Sequence, residues 1–412
     1  MSRPETGARG LPARAAAAVK ARDPRLDTFR GLALVMILID HMPGNPYEQW
    51  TYRTYGFSDA AEAFFVLSGI AAGLAYSPRF APDKLQRDGL WPATSPLWKR
   101  AWTLYLVHLL LTLWAIVIFS GGADLFGDPG MMQLHNLGAV FENPEEIFFG
   151  IATLGHQIGY VNILSVYALL LLFAPLAILV AMHRPGVVLA ASAGLWFVAG
   201  TWNINLQNYP NGGVWFFNPL SWQLIFVIGL VIGIAMRRGE RLVPVNRGLF
   251  VVALGWLVLV AAWRLNPTLG AALNHGMWML DQTGLPSIFF SQDKTNLGLP
   301  RLLHLLAMVY VLSCLPAVRR LSAHTLAAPL SLMGRHGLLV FSLSVVLALA
   351  GQVVMMGYHD AAWTLWGLTP LCVAVMIAAA WVADGKRRRA QAAPAPAGFV
   401  PVGGLASGAL PR

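Results

Sequence analysis

The sequence is poor in charge and in cysteine. Of its 412 residues only 12% are Asp, Glu, Lys or Arg, about half the share usual in a soluble domain. Cysteine occurs twice, at Cys314 and Cys372, both inside apolar stretches where a thiol behaves as a small hydrophobe. A disulfide framework and a cysteine-based zinc module are thereby excluded. Intrinsic disorder is excluded by the 57% hydrophobic content. The chain also lacks a glycine-rich phosphate loop, metal-ligand spacing, a nucleophile elbow and an internal repeat, so no metal is expected.

What the chain has is apolar runs, with a mean hydropathy of +0.58. A helix needs roughly 20 mostly apolar residues to cross about 30 Å of hydrocarbon. Ten runs approach that length: 29–47, 60–77, 97–119, 162–182, 187–204, 219–236, 248–265, 302–318, 336–356 and 363–383. The expected fold class is all-α, a polytopic membrane protein with about ten transmembrane helices. The stretch 147–160 is apolar but broken by glycines, His156 and Gln157, and it reads as interfacial or re-entrant. Residues 1–28 are expected to form a basic flexible arm, 29–385 one membrane domain, and 386–412 a flexible tail.

The net charge of +10 invites a nucleic-acid reading until the positions of the charges are considered. With the N-terminus inside and ten spans, 25 of the 29 Lys and Arg residues fall on the inner side. Only Arg53, Arg264, Lys294 and Arg301 fall outside. Basic residues are retained in cytoplasmic loops, so the excess is a topology signal that places both termini in the cytoplasm. No nucleic-acid partner is expected, and membrane lipid is.

Ionisable groups inside spans are expensive and mark candidate sites. The first span carries Arg30 and His41, eleven positions apart, which on a helix is roughly 16 Å of rise and a net rotation of about 20°. Both lie on one face, with Asp27 joining them at the inner end. One reading makes Arg30 an interfacial anchor and His41 a satisfied polar group. The other makes them functional, and the second span favours it. That span opens with Asp59 and Glu62, across a short hairpin from His41. A carboxylate that accepts from one imidazole nitrogen leaves the other as a base; Asp40, adjacent on the helix, is less well placed. Ser68, Gly69 and Gly73 read as small residues that permit close helix packing.

The segment 266–301 is too polar to span and carries His275, Asp281, Asp293, Lys294, Asn296 and Arg301, with His304 one helical turn beyond Arg301. Either it is a solvated connector or its cations form an outer site for a carboxylated acyl group or an oxyanion. Trp202, Asn203, Asn205, Gln207, Asn208 and Tyr209 could contact a sugar, but aromatic residues are also common at the membrane interface.

These residues carry a resemblance. Arg30, His41 and Phe64-Phe65-Val66-Leu67-Ser68-Gly69 resemble the opening signature of the membrane acyltransferase-3 family. The segments Arg25-Leu26-Asp27, His41 to Asn45, Gly56 to Glu62, Asn162-Ile163-Leu164, Asn218 to Gln223, Asp293 to Leu297, Arg301 to His304 and Gly334-Arg335-His336 are similar to its OpgC branch. The resemblance spans roughly residues 22 to 385. It implies an O-acyltransferase of the bacterial inner membrane that moves an acyl group, succinyl being the one suggested, from cytoplasmic acyl-CoA to a hydroxyl of a periplasmic glucan or other envelope glycan. Within the family, the residues matching Arg30 and His41 are the ones implicated in activity. On this reading His41 is the general base, Glu62 or Asp59 orients it, and Asp293, Lys294, Asn296, Arg301 and His304 bind substrate or an oxyanion. Arg30, Arg335 and His336 hold the phosphates of coenzyme A, and an acyl-histidine intermediate stays open. The alternative is a transporter or flippase for an envelope glycan, whose intramembrane charges would line a pathway; the sequence shows no paired halves with broken helices. A scaffold protein would give no reason for an aligned Arg30 and His41.

Overall fold

The boundaries of the first helix follow from local chemistry. Asp23 accepts a hydrogen bond from the Arg25 N–H and Pro24 fills the first helical position, so α1 runs Pro24–Asp40. It therefore begins before the expected start at residue 29. It also ends before 47, because Pro43 and Gly44, at φ +88°, cannot continue it. Asn45 Nδ2 closes the end by donating to the carbonyl oxygens of Ile39 and Met42 at 2.8 and 2.6 Å.

The computed structural model describes residues 23–359 and 361–392. After α1 come α2 (Tyr52–Tyr55), α3 (Ala60–Tyr76), α4 (Pro82–Asp88), α5 (Trp91–Phe126), α6 (Gly138–Glu142), α7 (Pro144–Ala152), α8 (Ile163–His183) and α9 (Pro185–Thr201). The chain continues through α10 (Pro219–Arg238), α11 (Arg247–Leu265), α12 (Pro267–Asp281), α13 (Leu299–Cys314), α14 (Pro316–Ala323), α15 (Ala328–Arg335), α16 (Gly337–Gly357) and α17 (Ala362–Ala392). No strand occurs among the described residues; Gln207 and Val214 form one isolated bridge. The protein is all-α, as expected. Of the expected arm, residues 1–22 lie outside the described residues and 24–28 belong to α1. Of the expected tail, 386–392 prolong α17 and 393–412 lie outside the described residues.

Among the described residues, seven helices are long and apolar enough to cross a membrane: α3 with the following turn to Phe80, α5, α8, α10, α11, α16, and α17 as far as Arg389. An eighth would be α13 with α14, which bend by 78° where Leu315-Pro316 interrupts them. The expected count of about ten is thus seven or eight by length and composition. The two remaining runs form α1 and α9, of 17 residues each, whose rise of roughly 26 Å falls short of a full hydrocarbon layer. The 147–160 stretch holds no helix long enough to cross: α7, of 9 residues, is followed by irregular backbone in which Leu154 and Tyr160 take positive φ. In 266–301 the polar sequence folds as α12, with Trp278, Met279 and Leu280 exposed, and then as an irregular segment.

Two seams hold the bundle at backbone contact. In α3, Gly69 and Gly73 lie against the carbonyl oxygens of Phe226 and Leu230; in α10, Gly229 and Gly233 lie against those of Val66 and Ile70. The reciprocal spacing of four residues brings the helices together without side chains between them, which is the packing role read for Gly69 and Gly73 in the sequence. The second seam joins α1 to α15, where Gly31 abuts the carbonyl of Leu330 and Gly334 that of Asp27. These contacts, with the alternation of helix direction, gather His41, Asp59, Tyr160, Lys294 and Gln352 at one end of the bundle. Arg30, Gly334, His336 and Asp384 lie at the other.

A methyl group at Gly69 or Gly229 would collide with the backbone opposite, whereas a methyl group at Gly255 in α11 would meet no heavy atom within 4 Å. Gly69→Ala and Gly229→Ala should each destabilise the purified protein by about 1–3 kcal/mol. Gly255→Ala should leave its melting temperature unchanged or slightly raised. Equal melting temperatures for all three variants in detergent would show that the seam is not tight.

Candidate active site

Where α1, α3 and α8 meet at the histidine end, the chain forms a cavity of about 330 Å³. Asp40 and His41 enter from the end of α1, Arg53 from α2, and Asp59 to Ala61 from the start of α3. His135, Gly159 and Tyr160 form one wall; Phe216, Phe217 and Lys294 form another, and Ile37 and Phe341 also line it.

The carboxylates at the start of α3 first serve the helix itself. Asp59 is its N-cap, accepting from the Ala61 N–H at 2.9 Å, while Glu62 Oε2 accepts from the Asp59 N–H at 2.8 Å. This reciprocal capping box turns Glu62 inward, where it is fully buried. Its other oxygen accepts from Arg301 Nε at 2.7 Å. Arg301 Nη2 also reaches Asp59 Oδ2 at 3.3 Å, and Lys294 Nζ pairs with the same oxygen. Burial alone would raise the Asp59 carboxyl, but Lys294 and Arg301 more than reverse this and hold it below the usual range.

Both carboxylates are therefore engaged with cations, and neither makes the expected hydrogen bond to His41. The His41 ring instead packs against Tyr160, with centroids 4.4 Å apart. Its Nδ1 is buried and makes no hydrogen bond among the described residues, and its carbonyl oxygen accepts from Gln352 Nε2 at 2.6 Å. Asp40 accepts from Thr51 Oγ1 at 2.9 Å.

The 293–298 loop is built to bring Lys294 into the cavity. Asp293 accepts from the N–H groups of Thr295 and Asn296 at 3.1 and 2.8 Å. Trp222 Nε1 donates to the carbonyl of Lys294 at 3.0 Å, and Asn218 Nδ2 donates to Asn296 Oδ1 at 2.8 Å. So held, the loop points Lys294 inward, its Nζ 5.7 and 5.6 Å from the ring centroids of Phe216 and Phe217. Of the five residues expected to bind substrate, Lys294 lines the cavity. Asp293 and Asn296 shape its loop, Arg301 sits behind Asp59, and His304 is buried at 2.7 Å from Ser58 Oγ, its ring filling the space beside Gly56.

The residues expected to hold coenzyme A gather at the opposite end. Arg30 Nη1 donates to the Gly334 carbonyl at 3.4 Å; His336 Nε2 lies 3.3 Å from Asp384, which also accepts from Arg388 at 2.8 Å. Arg335 is exposed beside them. Sequence reasoning missed His135, Tyr160, Arg53 and Gln352 on the cavity side and Asp384 on the other. Gln352 had a signal, an amide in an otherwise apolar run; nothing in the spacing ties 135 or 160 to 41.

The profile of a family described as OpgC protein matches residues 22–388. The chain belongs to the OpgC family. The match covers every side chain of both clusters, the cavity and the arginine end alike. Neither a curated protein nor a solved structure matches the chain.

Removing Arg301 leaves Glu62 as an uncompensated buried charge. Arg301→Ala should cost about 3–5 kcal/mol, read as a large fall in melting temperature or in the yield of folded protein. Combining it with Glu62→Gln, which keeps the capping acceptor and removes the charge, should restore most of the loss. A double variant no better than Arg301→Ala would show that the arginine stabilises by packing alone.

Proposed function

We propose that this protein transfers an acyl group from cytoplasmic acyl-CoA to a hydroxyl of a periplasmic glucan or another envelope glycan. The observation that carries the reading is the placement of His41 and Lys294 on one cavity, in a chain of the OpgC family. In the proposed reaction the acceptor oxygen attacks the thioester carbonyl, a carbon–oxygen bond forms, and the carbon–sulfur bond breaks to release coenzyme A. His41 takes the hydroxyl proton as general base. Lys294, which enters the cavity paired with Asp59, is the group placed to stabilise the oxyanion; Arg301 and Asn296 do not line the cavity. A succinyl donor would bring a carboxylate, which Arg53 and Lys294 suit. Aromatic faces at Tyr160, Phe216 and Phe217 suit the apolar faces of a sugar, while the polar groups between them suit its hydroxyls.

At the other end Arg30, Arg335 and His336 would hold the donor's phosphates. With the positive-inside orientation, this end faces the cytoplasm and the cavity faces the opposite compartment, in the bacterial inner membrane. The donor's thioester would then have to reach across the bundle toward His41.

Vesicles with the cytoplasmic face outward, containing a sealed glucan, test both the chemistry and its sidedness. Radiolabelled succinyl-CoA added outside should acylate the enclosed glucan, and His41→Ala should lower the rate by about 10²- to 10⁴-fold with the protein still inserted. Labelling only when donor and glucan share the outer bath would overturn the cross-membrane reaction and favour export of a finished glycan. An unchanged rate in His41→Ala would reduce that histidine to a packing residue.

A further inference from the structure

Two imidazoles line the cavity, and they are held differently. Nothing among the described residues hydrogen-bonds the His41 ring. His135 is fixed by Gln352, and the direction of that bond can be read. Gln352 Nε2 donates to the His41 carbonyl, which can only accept, so the amide oxygen is the atom that lies 2.7 Å from His135 Nε2. An amide oxygen cannot donate, so His135 Nε2 carries the hydrogen. In the neutral ring Nδ1 is then a lone pair. It makes no hydrogen bond to a described residue, and it is not one of the fully buried unpaired atoms as His41 Nδ1 is. Burial, only partly offset by the bond to Gln352, lowers the pKa of His135 and keeps the ring neutral near pH 7.

The backbone around this ring is unusual. His135 and Tyr160 sit at φ +57° and +68°, the left-handed region that non-glycine residues seldom adopt. The strain is held by the Gly159 N–H, which donates to the His135 carbonyl at 3.1 Å. It sets the His135 ring 4.9 Å from Tyr160, the ring that also contacts His41. Strain of this kind persists where the surroundings enforce it, and it is concentrated at binding sites.

We propose that His135 is an acceptor-binding residue, its Nδ1 taking a hydrogen bond from a second hydroxyl of the sugar whose neighbouring hydroxyl reacts at His41. The assignment rests on the acyl-transfer reading above and narrows it to a polyol acceptor gripped at two hydroxyls. Gln352 is the positioning residue, since one amide holds both the His135 tautomer and the main chain of His41. Gly159 is part of the same device, because a methyl group there would lie 3.1 Å from His135 Nδ1.

Steady-state rates with the full chain in proteoliposomes, varying succinyl-CoA and a soluble glucose oligosaccharide separately, test this. His135→Ala should raise the KM for the oligosaccharide about tenfold, the size of one lost hydrogen bond, and leave the KM for succinyl-CoA unchanged. His135→Asn, whose carboxamide oxygen can stand where Nδ1 stood, should recover most of that loss. Gly159→Ala should raise the oligosaccharide KM as His135→Ala does. An unmoved oligosaccharide KM in His135→Ala, or Ala and Asn variants equally impaired with lowered melting temperatures, would overturn the assignment and leave His135 a structural plug. Wild-type protein that transfers nothing would overturn the acyl-transfer reading itself and this inference with it.

Discussion

Arg301 keeps only 9% of its surface exposed, and a guanidinium so placed must be paired. Its partners are available because the capping box of α3 already aims Glu62 inward and leaves one of its oxygens unused by the helix. Pairing then fixes the first turn of α13 against the first turn of α3. Lys294 takes the cavity side of Asp59, and the Asp293, Trp222 and Asn218 contacts fold the connecting loop to deliver it there. An apolar set of the same volume could hold these helices as firmly, since buried ion pairs rarely exceed hydrophobic packing in stability. What an apolar set could not do is present an ammonium group to the cavity while keeping the adjacent carboxylate ionised.

That cluster accounts for one end of the molecule, and α1 relates it to the other. α1 carries Arg30 and is capped by His41, with roughly 16 Å of rise between them. The seam of Gly31 and Gly334 locks its Arg30 half to α15, which is why Arg30, Arg335 and His336 gather at that end. Gln352 from α16 locks the other end through the His41 carbonyl. The two clusters are therefore held at a fixed separation by a rigid element, an arrangement suited to a reaction whose two substrates approach from opposite faces.

What could be read from the sequence was what depends on local pattern. Apolar runs gave the helical class, and the spacing of Gly69 and Gly73 gave a tight seam. Counting spans was less secure, because Pro43-Gly44 shortens α1 and Leu315-Pro316 breaks α13 from α14 at positions a hydropathy window averages over. The nearness of Asp59 and Glu62 to the His41 end was legible from the short hairpin, but their partners were not. The Asp-x-x-Glu spacing that marks a capping box was present, and it would have shown that Glu62 turns back on its own helix. The cations that claim the remaining oxygens lie more than 230 positions away in sequence, where no periodicity connects them. His135 and Tyr160 depend on positive-φ backbone in irregular segments, which leaves no periodic trace.

The seams also restrict how a donor held near Arg30 could reach His41. Between α1 and α15 the glycines bring backbone against backbone, and between α3 and α10 they do the same, so neither interface can admit an extended arm without parting the helices. The inner wall of the cavity is different. It is formed by Ile37 of α1 and Phe341 of α16, and the Phe341 ring rests on Phe64 of α3 at 5.6 Å. These are buried side chains, not carbonyl groups fixed in a helix. In the proposed reaction the donor's thioester would thus pass between α1, α3 and α16, with Phe341 the group that must move. The rigid seams on either side would keep that opening narrow, and the fixed end of α1 would hold His41 where the passage meets the acceptor.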